Sequence, residues 1–204
     1  VGDGTDCVLK QSTDGGKTYY VIGGTAGKET DILKFNFSNP NTIYAGVIIS
    51  YDNGETWSKS DVKVMAVSPF DGNVVYGIKN SRAARSFDEG RTGEEYSEAF
   101  GGATQMTADL FEEGTVYCTM YPSRIVKVYK NGLCDYISKE TSNFENPNEL
   151  YIWAFAQDPR NGKPLICGGI DNALMRKSGG IYESYDGGKN WRQGKGMPST
   201  RDIW

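Results

Sequence analysis

The 204-residue chain carries 26 acidic and 22 basic side chains, a formal net charge of −4 and a pI near 5.0, which argues against general electrostatic attraction to nucleic acid or an anionic membrane. Glycine at 26, tyrosine at 13 and tryptophan at 4, with no window approaching the ~20 apolar residues of a membrane span, point to a soluble, turn-rich β protein. Histidine is absent; the commonest general base and transition-metal ligand is thereby removed, and any catalysis would use carboxylates, Tyr, Lys or Cys.

Residues 7–20 hold the first copy of an eight-residue pattern, SxDxGxxW, as Ser12, Asp14 and Gly16 with Tyr19 in the Trp slot. An alternating strand over 31–37, a turn at 38–41 and a second strand over 42–46 lead to Ser50, Asp52, Gly54 and Trp57, the pattern in full. The next unit repeats this order with a strand at 62–67, a turn at 68–73 and a strand at 74–77. It reaches Ser86, Asp88 and Gly90, with Gly93 in the aromatic slot and Tyr96 as its replacement after a short insertion. A third unit runs through 105–109, a turn at 112–114 and a strand at 115–118, then a degraded copy at 128–132 in which Lys130 stands where the Asp belongs. The fourth runs through 151–156, turns at 158–162, returns through 165–168 and reaches Ser184, Asp186, Gly188 and Trp191. Residues 200–204 look like the start of another innermost strand.

The pattern is that of a tight β-hairpin. An Asp side chain accepts hydrogen bonds from backbone N–H groups two or three residues on, Gly supplies the φ > 0 position, Ser adds a second local bond, and the aromatic packs back onto neighbouring strands. Successive pattern positions, Asp14, Asp52, Asp88, Lys130 and Asp186, lie 38, 36, 42 and 56 residues apart. A repeat of about 40 residues with this all-β character is the size of one four-stranded propeller blade. Each unit reads as strand, turn, strand, loop, strand, marker hairpin, strand. The markers then share one face, while the loops joining strands two and three, and those linking blades, share the other. The fold class is an all-β propeller of about four full four-stranded blades plus partial ones. Residues 1–204 are read as one propeller domain or as part of a larger propeller, closure of the first blade by the last residues being the alternative. Tyr44, Tyr76 and Tyr117 recur at equivalent second-strand positions, as packing between blades requires. Cys7, Cys118, Cys134 and Cys167 lack metal spacing and sit in predicted strands as half-buried small residues, two disulfides being open to them in a secreted protein.

The markers at Ser12, Ser50, Ser86 and Ser184, with the segment 39–46 before the second, resemble the Asp-box (BNR) repeats of β-propeller proteins. The resemblance implies a fold; it does not settle an activity, since such repeats occur in sialidases, xyloglucan-hydrolysing endoglucanases, sortilin-type receptors and a photosystem assembly factor. Sialidases resemble the chain least, because their Arg-Ile-Pro-type motif is missing and Arg124, Ile125 and Val126 form the nearest string. The endoglucanases fit better, particularly over 179–184, but they resemble two joined propellers with an Asp on each side of a cleft, which 204 residues cannot supply.

In propellers the ligand face is built where innermost strands begin and where strands two and three connect. Those positions hold Asp31, Asp61, Tyr151, Trp153, Asp202 and Trp204, and the loops Arg82, Arg85, Tyr121, Arg124, Asp171, Asn172 and Arg176. Aromatics mixed with carboxylates and arginines suit sugars, whose C–H faces stack on rings while their hydroxyls take polar partners. A glycosidase needs two carboxylates roughly 5–10 Å apart; Asp31 and Asp61 are the candidates, with Asp171 third. The plainer readings are that the Asp residues are solvated strand caps, the arginines ordinary loop residues and Trp153 a channel plug. The expected function is that of a secreted carbohydrate-active propeller, binding or hydrolysing a polysaccharide. A non-catalytic platform, for a protein partner or for the remainder of the propeller, is the alternative. No metal or other cofactor is expected, and Gly23-Gly24 and Gly101-Gly102 lack the spacing of a phosphate site. A start without Met suggests a mature chain and an extracellular or cell-surface location.

Overall fold

Runs of β-branched and aromatic residues too short for helices, punctuated by positive-φ glycines, give the described residues strands and turns. The computed structural model describes residues 8–24, 32–99, 103–120, 124–137, 150–163, 165–171 and 180–194. They form one hairpin, β1 (Val8–Gln11) with β2 (Tyr20–Gly24), and four antiparallel meanders of four strands. Blade I is β3 (Leu33–Phe35), β4 (Ile43–Ala45), β5 (Ile48–Ser50) and β6 (Ser58–Lys59); blade II is β7 (Lys63–Val67), β8 (Val75–Lys79), β9 (Arg82–Ser86) and β10 (Glu94–Ala99). Blade III is β11 (Ala103–Ala108), β12 (Val116–Met120), β13 (Arg124–Val128) and β14 (Cys134–Tyr136); blade IV is β15 (Leu150–Gln157), β16 (Leu165–Asp171), β17 (Gly180–Ser184) and β18 (Arg192–Gln193). The first strands β3, β7, β11 and β15 neighbour one another in sequence order and line an axis.

There is no single central core. Tyr44, Ile49, Val62, Val64, Val75 and Ala84 pack blade I on blade II. Met65, Tyr76, Ala83, Met106, Cys118 and Val126 pack blade II on III, and Tyr117, Ile125, Ile152, Phe155, Leu165 and Trp191 pack III on IV. Both faces of β4, β8 and β12 are therefore buried, and these strands contain no polar–apolar alternation. Tyr44, Tyr76 and Tyr117 each face the following blade, so their recurrence is interblade packing. Tyr117 also donates to Asp109 Oδ2 at 2.8 Å, which anchors the turn between β11 and β12.

Among the described residues the β1–β2 hairpin stands as a two-stranded sheet in the position of a blade's outer half. Val8, Tyr20, Val21, Leu33 and Phe35 are consequently exposed, and Leu33 and Phe35 border a groove with Leu9, Ile22 and Ile43. Cys118 and Cys167 are buried free thiols, and burial pushes the Cys118 thiol up to about 12.

Three first strands carry an irregularity, at matching height in β11 and β15 and two residues nearer the first turn in β7. Pairing with the second strand skips Met65 in β7, Thr104 in β11 and Trp153 in β15, each an extra residue opposite a continuous partner. Such bulges re-aim a side chain. Met65 and Thr104 line the axial space, with Ala154 beside the third bulge.

Candidate functional site

The marker hairpins join the third and fourth strands, at 12–19, 50–57, 86–93 and 184–191. In each, the Ser hydroxyl donates to the Asp, at 2.8, 2.7, 2.7 and 2.9 Å, and accepts the Gly amide at 2.7, 2.7, 2.8 and 2.8 Å. Asp14 also accepts the Lys17 amide at 3.0 Å, and the residue four further on from each Asp, Thr18, Thr56, Thr92 or Asn190, donates to it both its amide and its side chain. That position is polar in every copy, a regularity the eight-residue pattern had left as an unspecified x. Hydrogen bonds from Thr18, Thr56 and Asn190 hold Asp14, Asp52 and Asp186 down to about 2. At Asp88 burial pushes the other way, but bonds from Thr92 and Ser86 still leave its carboxyl below the usual range. Both oxygens of each marker Asp are engaged within the hairpin, which suits a structural role.

The hairpins also stitch blades together. Trp57 Nε1 donates to Ile22 O in the preceding unit at 3.0 Å and to Gly54 O at 3.1 Å. Trp191 Nε1 donates to Gly188 O at 3.0 Å and to Ile137 O, just past β14, at 3.4 Å. The Gly residue lies against the same neighbour: a Cβ on Gly188, at φ +90°, would stand 2.7 Å from Ile137 Cδ1.

The third hairpin lacks the indole, and Asp61 does related work. Gly93 donates its amide to Asp61 Oδ2 at 2.8 Å, and Lys79 Nζ bonds Asp61 Oδ2 at 2.7 Å and Gly93 O at 2.8 Å. Ser60 Oγ and the Asp61 amide both donate to Gly90 O, at 3.1 and 3.0 Å, and Val62 fills the space a Gly93 side chain would need. Tyr96 does not take the empty aromatic slot; it packs toward blade III, and its carbonyl abuts Gly132 of the degraded hairpin. The Lys79 ammonium, then the Gly93 amide, keep the Asp61 carboxyl below its ordinary range. A group so held is a charged acceptor at neutral pH and is badly placed to donate a proton as a general acid.

Other predicted residues separate by end of the blade. Arg82 and Arg124 open β9 and β13, at the end of each strand away from its own marker turn; Arg82 is 3.4 Å from Glu95 Oε2 and Arg124 lies 5.7 Å from the Tyr136 ring centre. Arg85 belongs to the marker end: it binds Glu94 at 2.7 Å, donates to Lys130 O at 2.8 Å and lies over the Phe87 and Tyr96 rings. The spacing of three between Arg82 and Arg85 carries the second arginine about 10 Å along the strand. For Tyr151, Trp153 and Asp171 the backbone places the residues in β15 and β16, with Tyr151 opposite Ile170 and Asp171 opposite Leu150. Asp31, Tyr121, Asn172, Arg176, Asp202 and Trp204 lie outside the described residues.

Two cavities occupy the axis. One, of about 290 Å³, is lined by Lys34, Met65, Thr104, Gln105 and Ala154; the other, of about 340 Å³, opens toward the marker face between Phe35, Phe37, Val67, Pro69 and Leu110. Among the described residues neither is lined by a carboxylate, and no three His, Cys, Asp or Glu residues gather into a metal site.

Meander sheets arranged about an axis and marker hairpins at one end define an all-β protein of the propeller class. The family model for the BNR/Asp-box repeat matches residues 48–59, the hairpin between β5 and β6, so the chain carries that repeat. Among solved structures it is similar to the GH74 enzyme of Niastella koreensis, with 14% identity and TM-score 0.60 over 80% of this chain and 30% of that one. It is also similar to the β-propeller domain of Cps50 (Swd1) from Myceliophteria thermophila, with 10% identity and TM-score 0.52 over 76% of this chain and 52% of that one. YCF48 bound to D1 peptide aligns at 14% identity and TM-score 0.38, over 91% and 75% of the two chains. The chain thus spans about a third and about half of the first two proteins' lengths. At these identities the likeness establishes the architecture. No curated protein matches the sequence.

Proposed function

We propose that this chain contributes a ligand-binding face to a secreted BNR propeller and that the ligand is a polysaccharide, bound without being cleaved by the described residues. The observation that carries this reading is the bulge in each of three successive first strands, at Met65, Thr104 and Trp153, those at Thr104 and Trp153 standing at matching height and that at Met65 two residues nearer the first turn. Two of them line the axial cavity, the third is the tryptophan best suited to stack on a sugar ring, and Arg82 and Arg124 open the third strands on the corresponding loop face. Asp61, committed to Lys79 and Gly93, is unsuited to acid catalysis, which favours binding over cleavage by the described residues.

The test is a panel of polysaccharides, including xyloglucan and sialylated glycans, followed for binding and for release of reducing ends. Binding without release, lost in Trp153→Ala, is the expected result. Release that disappears in Asp31→Asn would overturn the non-hydrolytic part, and no binding to any polysaccharide would overturn the whole. A second reading, a protein-interaction platform, draws on the marker face, where Phe37, Phe70 and Phe111 are exposed in the first turn of three consecutive blades.

A further inference from the structure

A chain of repeats shows what each position ordinarily requires, and a departure facing the axis is informative. Register gives the comparison: Lys34 pairs with Tyr44 where Ala66 pairs with Tyr76, Thr107 with Tyr117 and Ala156 with Ile166. Three blades keep a small residue there, and blade I carries a lysine. Packing does not demand it, since the equivalent sites are filled by alanine or threonine.

Lys34 is half-buried and borders both axial cavities. Among the described residues it has no ion pair, whereas Lys79 in β8 pairs with Asp61 and Lys127 in β13 with Glu112. The cavity on its marker side, about 340 Å³, is walled by Phe35, Phe37, Val67, Pro69, Met106 and Leu110. This volume lies in the range of small-molecule sites, and such sites combine apolar walls with very few polar groups.

We infer that this cavity is a binding site for a small amphipathic organic anion, an aryl or medium-chain carboxylate. Its apolar body fills the space between the first turns of blades I, II and III, and its carboxylate meets the Lys34 ammonium. A neutral apolar guest would strip water from that charge without compensation, and a densely charged anion would lose its hydration against apolar walls. A single carboxylate on an apolar body satisfies both. The site is separate from the polysaccharide reading and does not depend on it, because it opens on the opposite face.

The experiment measures binding of 2-naphthoate and its neutral isostere 2-naphthamide to the purified chain by isothermal titration. The expected result is one naphthoate per chain, bound about tenfold or more tightly than the amide, as a charge-assisted contact requires. Lys34→Ala and Lys34→Thr, which install the residues that other blades carry, should remove the preference while leaving the urea midpoint near that of the parent. Lys34→Arg should retain it, and Leu110→Asn should weaken both probes. Equal binding of the two probes, binding of neither, or a preference that survives in both Lys34→Ala and Lys34→Thr would overturn the proposal.

Discussion

The aromatic of the marker hairpin should stabilise the fold in proportion to the blade it leans on. Trp191 is 2% exposed, packs between blades III and IV and donates to Gly188 O and Ile137 O. Truncation to alanine removes the largest side chain of that interface and orphans both carbonyl groups, so Trp191→Ala should cost about 3–5 kcal/mol. Trp191→Phe, which keeps most of the ring and loses the N–H, should cost about 1 kcal/mol. Trp57 makes the same two kinds of contact but is only half-buried against the two-stranded β1–β2 sheet, and about 2–3 kcal/mol is expected for Trp57→Ala. Tyr19 occupies the equivalent slot with 62% exposure, and Tyr19→Ala should fall within about 0.5 kcal/mol of the parent. The assay is urea unfolding followed by tryptophan fluorescence and circular dichroism together, comparing midpoints at unchanged slope. With a slope of about 2 kcal/mol/M, Trp191→Ala should move the midpoint by about 1.5–2.5 M. An equal loss in Tyr19→Ala, or a loss below about 1 kcal/mol in Trp191→Ala, would refute the idea that the slot acts through the preceding blade.

The Asp61–Lys79 pair is partly solvated, with side-chain exposures of 41% and 28%, so Asp61→Asn should cost no more than about 1 kcal/mol, shrinking as salt is added. Because the folded carboxyl titrates below its unfolded value, this contribution is full above about pH 4 and fades as pH falls through the folded pKa; a parent and Asn variant with the same acid dependence would contradict it. Gly188→Ala meets both an unfavourable φ of +90° and Ile137, and should lose at least about 2 kcal/mol more than Gly15→Ala, whose φ is +74° but whose Cβ would meet nothing within 4 Å. Thermal midpoints of the two variants decide this, and equal shifts would show that backbone conformation alone matters. Thiol labelling with a chromogenic disulfide at pH 8 should modify Cys134 well before Cys118 and Cys167, which burial holds up to about 12; early labelling of either buried thiol would count against the blade packing.

What was legible in the sequence follows from how local each interaction is. Ser, Asp, Gly and the following Thr or Asn close their hydrogen bonds within a few residues, so every copy announces itself, and spacing then yields the blade. Asp61 was legible as a carboxylate where an innermost strand begins; its partners Lys79 and Gly93 lie 18 and 32 residues away and leave no local trace. Arg85 reads like Arg82 until the strand is laid out and the two prove to serve opposite ends. The bulges were hidden for a related reason. One additional residue in a first strand buried on both sides breaks no alternation, so Met65 and Thr104 look like ordinary strand residues. Lys34 carries its signal only against Ala66, Thr107 and Ala156, once register has made them equivalent.

The division of the apolar interior into separate sandwiches, each shared by two adjacent sheets, makes the molecule mechanically a row of couplings and not a sphere. Cooperativity in such a row is handed from neighbour to neighbour and is weakest where the buried contact is smallest, as at the exposed Val8, Tyr20 and Val21. Opening should therefore begin at the β1–β2 hairpin and advance inward, and amide exchange should slow from there toward blades II and III. The same arrangement is permissive in evolution. A duplicated blade needs to match only the surfaces on either side of it, so the length of the row can change while each junction, with its glycine, its indole or its aspartate substitute, is kept.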